Sequence, residues 1–167
     1  MKKAAAATTT AALAATATRN RQSSALTEAL NLVLADTYSL MALTHLAHWN
    51  VEGRGFFQLH EAFGTQYTAL FEAADEIAER IRALGDYAAG GLQTLGKLAG
   101  LEEFRAPLSE TDTVSALITA HKKVIADTAK ARTLSEQAGD LETQDLMIGR
   151  IQWHQKTVWM LRSFQKG

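Results

Sequence analysis

The chain contains no cysteine, which excludes disulfides, thiolate catalysis and cysteine-based zinc sites and suits a reducing compartment such as the cytoplasm. Pro107 is its one proline, and almost no stretch alternates polar and apolar residues as a half-buried strand does. Both absences point to an all-α chain. No apolar run approaches the roughly 20 residues that a membrane span needs. The pattern Glu-x-x-His, which sets two metal ligands on one face of a bundle helix, occurs nowhere. A dimetal centre built inside one bundle in that way is therefore not expected.

Acidic residues are missing from the first 24 positions, an Ala/Thr-rich stretch carrying Lys2, Lys3, Arg19 and Arg21. Lys2-Lys3 followed by alanines imitates a signal peptide. Threonines 8–10, 16 and 18 interrupt the run, however, and Leu13 is its only large aliphatic residue. With so little bulky apolar surface, residues 1–24 read as a flexible basic tail ahead of a single helical domain at 25–167. The net charge is −1; the tail supplies +4, which leaves −5 on the body.

Four long helical segments follow the tail. Leu30, Val33, Leu34, Thr37 and Met41 share one stripe of the first, from about Leu26 to His48. Gly53 and Gly55 let the chain turn. The second helix runs to a glycine stop at Gly85. Its stripe is Phe63, Tyr67, Leu70, Phe71, Ala74, Ile77, Ala78 and Ile81. Residues 86–108 make a long connection in which Leu92, Leu95 and Leu98 suggest a short extra helix. Ser109 is placed to cap the third helix, with Glu110 and Asp112 in its first turn. That helix carries Val114, Leu117, Ile118, His121 and Ile125 and ends before Gly139-Asp140. The fourth carries Met147, Ile151, His154, Val158 and Leu161. Four helices with one long crossover between the second and third make a ferritin-like four-helix bundle rather than a simple up-down one.

His48, His60, Asp75 and Glu79 are the candidate metal ligands. At about 1.5 Å per residue, His60 and Asp75 lie roughly 22 Å apart on one helix, so no single ion reaches both. If the four act together, histidines from one copy must meet carboxylates from another. The helical wheel agrees: at about 100° per residue from Phe57, the apolar stripe centres near 250°, Asp75 near 0° and Glu79 near 40°. Gly64 and Thr68 share that off-core sector, where a partner can approach closely. The alternative is a solvated face, since Glu76–Arg80 and Glu79–Arg82 have ordinary ion-pair spacing. Imidazole and carboxylate ligands without sulfur suit iron, zinc or manganese.

The run from Thr44 to Phe63, with His48-Trp49-Asn50 and Leu59-His60-Glu61 inside it, and the run Asp75-Glu76-Ile77-Ala78-Glu79-Arg80, resemble the Dps family of mini-ferritins. The resemblance covers about Leu26 to Phe164. It implies a dodecameric hollow shell of two-fold dimers, in which ferrous iron is oxidised at dimer seams and ferric mineral is stored inside. Hydrogen peroxide is the oxidant it implies first, with dioxygen as the other. Such a ferroxidase is cytoplasmic, sometimes nucleoid-associated, and protects DNA from oxidative stress. Carried over position by position, the iron ligands are His48, His60, Asp75 and Glu79, with Trp49 shielding the site. Many family members place an acidic residue one turn after the second histidine. Gly64 stands there in this chain, which leaves the second iron of each site short of a ligand.

The resemblance also offers Asp140, Glu142 and Asp145 as lining a pore that admits iron; the alternative is favourable charge at a helix N-terminus. His45 matches a position outside the ligand set. His121 and His154, on helical stripes, are expected as core histidines, and Trp153 and Trp159 as packing. DNA binding falls to the tail (Lys2, Lys3, Arg19 and Arg21), because an acidic body repels phosphate. A DNA-compacting shell with a secondary metal site is the second functional reading.

Overall fold

A computed structural model describes the backbone of residues 2–166 and the side chains of residues 23–166. Five helices follow one another: α1 (Lys2–Asn50), α2 (Phe56–Ala83), α3 (Leu92–Leu98), α4 (Glu110–Ala138) and α5 (Leu141–Phe164). No strand occurs among the described residues. Nor is any helix there long and apolar enough to cross a membrane. The side chains of residues 1–22 lie outside the described residues. The backbone of residues 2–24, expected as a flexible basic tail ahead of a helix starting near Leu26, runs as the first part of α1, and the DNA contacts expected from Lys2, Lys3, Arg19 and Arg21 fall on these side chains.

α1 and α2 form one hairpin and α4 and α5 the other; α1 packs against α4, and the short α3 lies on α1. Helix ends fall where the local chemistry puts them. Ser109 accepts a hydrogen bond from the Asp112 amide and starts α4, and Asp140 accepts one from the Thr143 amide and starts α5. Gly139, at φ 70°, closes α4 in the left-handed conformation that costs glycine nothing.

Two apolar clusters fill the bundle. One holds Leu40, Leu43, Phe63, Leu70, Leu117, Val124, Val158 and Leu161. The other holds Leu30, Val33, Ile77, Ile81, Ala131 and Met147. Each of the large side chains among them, fully buried, contributes about 1.5–3 kcal/mol. Where the clusters meet, Asp36 of α1 and Asp127 of α4 are both buried. Asp36 accepts a bond from the Gly100 amide at 2.7 Å, and Asp127 pairs with Lys123 and with Lys130. Burial first, and then the neighbouring Asp127, raise the Asp36 carboxyl to about 6.

The expected core differs most at Phe71. Phe71 lies on the apolar stripe of α2 yet is 60% exposed, because the stripe is wider than the face its own bundle covers.

Candidate metal centre

The turn between α1 and α2 positions both histidines. Gly55 is buried in that turn and its amide donates to Glu110 Oε2 at 3.2 Å. A Cβ at Gly55 would fall against the Glu110 carboxylate and 2.5 Å from Phe164 Cζ. Only glycine lets the backbone pass so close to the start of α4 and the end of α5. The turn therefore holds the end of α1 and the start of α2 in one arrangement.

In that arrangement His48 Nδ1 donates to the His60 carbonyl at 2.8 Å, and His60 Nδ1 donates to the His48 carbonyl at 2.9 Å. A carbonyl oxygen only accepts, so each Nδ1 carries a hydrogen, which in the neutral imidazole leaves the Nε2 lone pair free for a metal. Fixing the tautomer through the far nitrogen is how proteins ready imidazoles for a metal. The rings stack at 3.7 Å between centroids, 22° from parallel, and Phe56 backs His60 at 5.1 Å.

A second group of rings lies beside the first. Tyr67 meets His48 edge-on at 5.3 Å, and His45 is packed against Tyr67 at 4.3 Å and Trp49 at 3.9 Å. Trp49 is 65% exposed. Across from His48, a Cβ on Gly64 would lie 3.4 Å from Cε1. The ring thus rests almost on the α2 backbone. Sequence periodicity assigned Tyr67 to the core; the ring is only half-buried and belongs to the surroundings of His48 instead.

Asp75 and Glu79 are both exposed on α2. The ion pairs that would have marked a solvated face do not form among the described residues. Arg80 turns away from Glu76 to Asp140 at 2.6 Å and to Thr143 Oγ1 at 2.7 Å, and neither Asp75 nor Glu79 has a cationic partner. Among the described residues, no three histidine or carboxylate side chains of one chain converge as metal ligands do. One copy therefore presents two separate half-sets: bare imidazole nitrogens at the α1–α2 turn and unpaired carboxylates further along α2. This donor set fits iron, zinc or manganese.

The acidic trio at the start of α5 divides. Asp140 is the helix cap. Its burial works to raise the carboxyl, but bonds from Thr143 and the Arg80 guanidinium hold it below the ordinary carboxylate range. Glu142 and Asp145 are exposed and unpaired among the described residues.

His121 and His154 are core histidines, as their stripes require. Both are fully buried, with Nδ1 atoms 2.8 Å apart and Trp153 packed beside them. Of the other two tryptophans, Trp159 was expected in packing but is 64% exposed, because it sits on the α5 face turned away from the other helices of its own chain.

The ferritin-like domain family matches residues 27–166. An uncharacterized low temperature-induced protein from Nostoc is 35% identical over 150 residues, covering 89% of this chain and 84% of that protein. DNA protection during starvation protein 2 from Bacillus anthracis is 31% identical over 137 residues, covering 82% of this chain and 94% of the relative. The DPS protein from Vibrio cholerae O1, described as one of the ferritin-like diiron-carboxylate proteins, superposes with a TM-score of 0.83 at 30% identity. That likeness covers 87% of this chain and 91% of the other.

Proposed function

We propose, from the premise that the chain belongs to the Dps family of ferritin-like proteins, that it oxidises ferrous iron with hydrogen peroxide, or with dioxygen, and stores the ferric product. The observation that carries this is the reciprocal pair of carbonyl bonds at His48 and His60, which leaves two Nε2 lone pairs ready while Asp75 and Glu79 stay unpaired on the same chain. Two copies related by a two-fold axis bring each half-set to the other's and make two equivalent seam sites. Iron is substrate here. The imidazoles hold the ferrous ion, the carboxylates favour the ferric product through hard oxygen donors, and Trp49 covers the seam. Per peroxide, two ferrous ions and two protons give two ferric ions and two waters, so no hydroxyl radical leaves. Twelve copies enclosing a cavity would hold the mineral, and Glu142 and Asp145 would draw ferrous ions toward an opening. Anaerobic ferrous titration followed by peroxide, with the particle mass measured alongside, tests the reading. A particle that binds no ferrous ion would end it.

Gly64 bears directly on iron stoichiometry. In Gly64→Asp the new Cβ makes an ordinary contact with His48 Cε1 at 3.4 Å, and the carboxylate lies one turn beyond His60. Aspartate is only roughly a few tenths of a kcal/mol better than glycine in a helix interior, so the change should leave the fold nearly as stable. The expected result is more ferrous ion bound per site and faster peroxide-driven oxidation. Unchanged stoichiometry in an intact shell would show that the missing carboxylate does not limit the site.

DNA binding by this chain would fall to the basic tail, because the body carries −5. Many tails on one particle bind multivalently and with steep salt dependence. Deleting residues 2–21 should abolish DNA retardation while leaving assembly and iron oxidation unchanged. Gel-shift series at rising salt compare the two shells, and equal retention would place the DNA surface elsewhere.

A further inference from the structure

The acidic excess of the body is not spread evenly. From residue 146 to the end of the chain there is no aspartate or glutamate, while Arg150, Lys156, Arg162 and Lys166 all fall there. Gln155, Trp159 and Arg162 follow one another at intervals of four and three residues, so they share one face of α5. Lys166 comes next, in the turn that closes the helix.

These residues and Lys122 of α4 border an open groove of about 540 Å3, with Trp159 on its rim and Ile125 and Val158 as its apolar lining. No carboxylate lines it. Neither Lys122, Arg162 nor Lys166 forms an ion pair among the described residues. The Gln165 amide donates to Ser115 Oγ at 2.7 Å and to the Thr111 carbonyl at 3.3 Å, which ties the end of α5 to α4. The shape of the groove is thus set by the fold itself.

Three unpaired cations around an exposed indole suit an anion that carries a flat ring. They suit a second copy of the chain poorly, because lysine is depleted from the cores of protein interfaces. Grooves that hold a nucleic-acid strand set several aromatic rings along a basic track, whereas Trp159 is the one ring lining this groove. One base with a short run of phosphates matches that count, and the volume is that of a small-molecule site. The Gln155 amide, one turn before Trp159, offers both a donor and an acceptor to the edge of a base. We propose that this groove binds a nucleoside triphosphate, with the base on Trp159 and the phosphates on Lys122, Arg162 and Lys166. Such binding requires neither iron nor the seam sites.

The test titrates the intact, iron-free shell of the full chain with ATP and follows tryptophan fluorescence and heat. Saturable quenching at one ATP per chain is expected, and it should weaken steeply as salt rises. AMP and inorganic triphosphate should each bind about tenfold more weakly, because each lacks half of what the groove recognises. In Arg162→Gln with Lys166→Gln, affinity for ATP should fall by about tenfold. In Trp159→Ala, ATP should bind no better than inorganic triphosphate. All three side chains are exposed, so the variants should melt as the native shell does. Absence of both quenching and heat would overturn the proposal, as would ATP affinity left unchanged by either variant. Inorganic triphosphate binding the native shell as tightly as ATP would also overturn it, leaving an anion patch only. Loss of ATP binding on deleting residues 2–21 would move the site to the tail. A single-stranded oligonucleotide that binds through Trp159 where ATP does not would make the occupant a strand, against the proposal.

Discussion

Two variants, each without iron oxidation, should regain it when they are reassembled together. His48→Ala with His60→Ala removes the imidazole half-set, and Asp75→Ala with Glu79→Ala removes the carboxylate half-set. Neither pair of changes touches the apolar clusters, since all four side chains are half-buried or exposed. In a mixed dimer, one seam site joins the histidines of the second variant to the carboxylates of the first, while the other site lacks all four. Activity should then reach about half of the native value if every dimer is mixed, and about a quarter for random pairing. A site contained in one chain gives no rescue at any ratio. Activity that stays at background after mass spectrometry has confirmed subunit exchange would refute the shared site.

The second large effect is loss of stability in mild acid. Burial, and then the charge of Arg150, lower His121 from 6.5 to about 3; burial, His121 and Arg150 lower His154 as well. The unfolded chain therefore takes up protons below pH 6.5 that the folded chain refuses. Stability is complete above pH 6.5 and falls as the pH drops from there toward 3. For His121 alone the loss between pH 6.5 and pH 5 is about 2 kcal/mol, or about 4–8 °C in melting temperature for a chain of this size. Asp36 works the other way: its raised carboxyl favours the fold more as pH falls below about 6. Comparing variants isolates the histidines. His121→Gln with His154→Gln keeps a hydrogen-bonding pair that does not titrate, and the drop in melting temperature from pH 7 to pH 5 should shrink markedly. An unchanged drop would assign acid sensitivity to other groups.

The helices, and the spacing that keeps the candidate ligands apart on one chain, were legible because they depend on order along the chain. Ser109, Gly85 and Gly139 punctuate helices by local backbone chemistry, and the separation of His60 from Asp75 on one helix is a matter of rise per residue. What the sequence hid depends on neighbours distant in the chain. Arg80 has Glu76 four residues before it, yet binds Asp140, because a partly buried helix cap offers a better partner than an exposed side chain on the same helix. Tyr67 falls on the apolar stripe, and a helical wheel cannot separate a ring facing the core from one facing His48. Asp36 looks like a solitary charge on an apolar face until packing buries it beside Asp127. His45 matched a position without a ligand role; its place between two aromatic rings emerges only from the packing.

Gly55 has a consequence for the order in which the protein is made. Its turn is held by Glu110 and closed in by Phe164, and both leave the ribosome well after His48 and His60. A nascent chain ending before α5 has the histidines but not the wall that fixes the turn between them. On the proposed function, the imidazole half-site would be completed only once the C-terminal hairpin closes this turn, so a truncated translation product would offer ferrous iron an unfinished one.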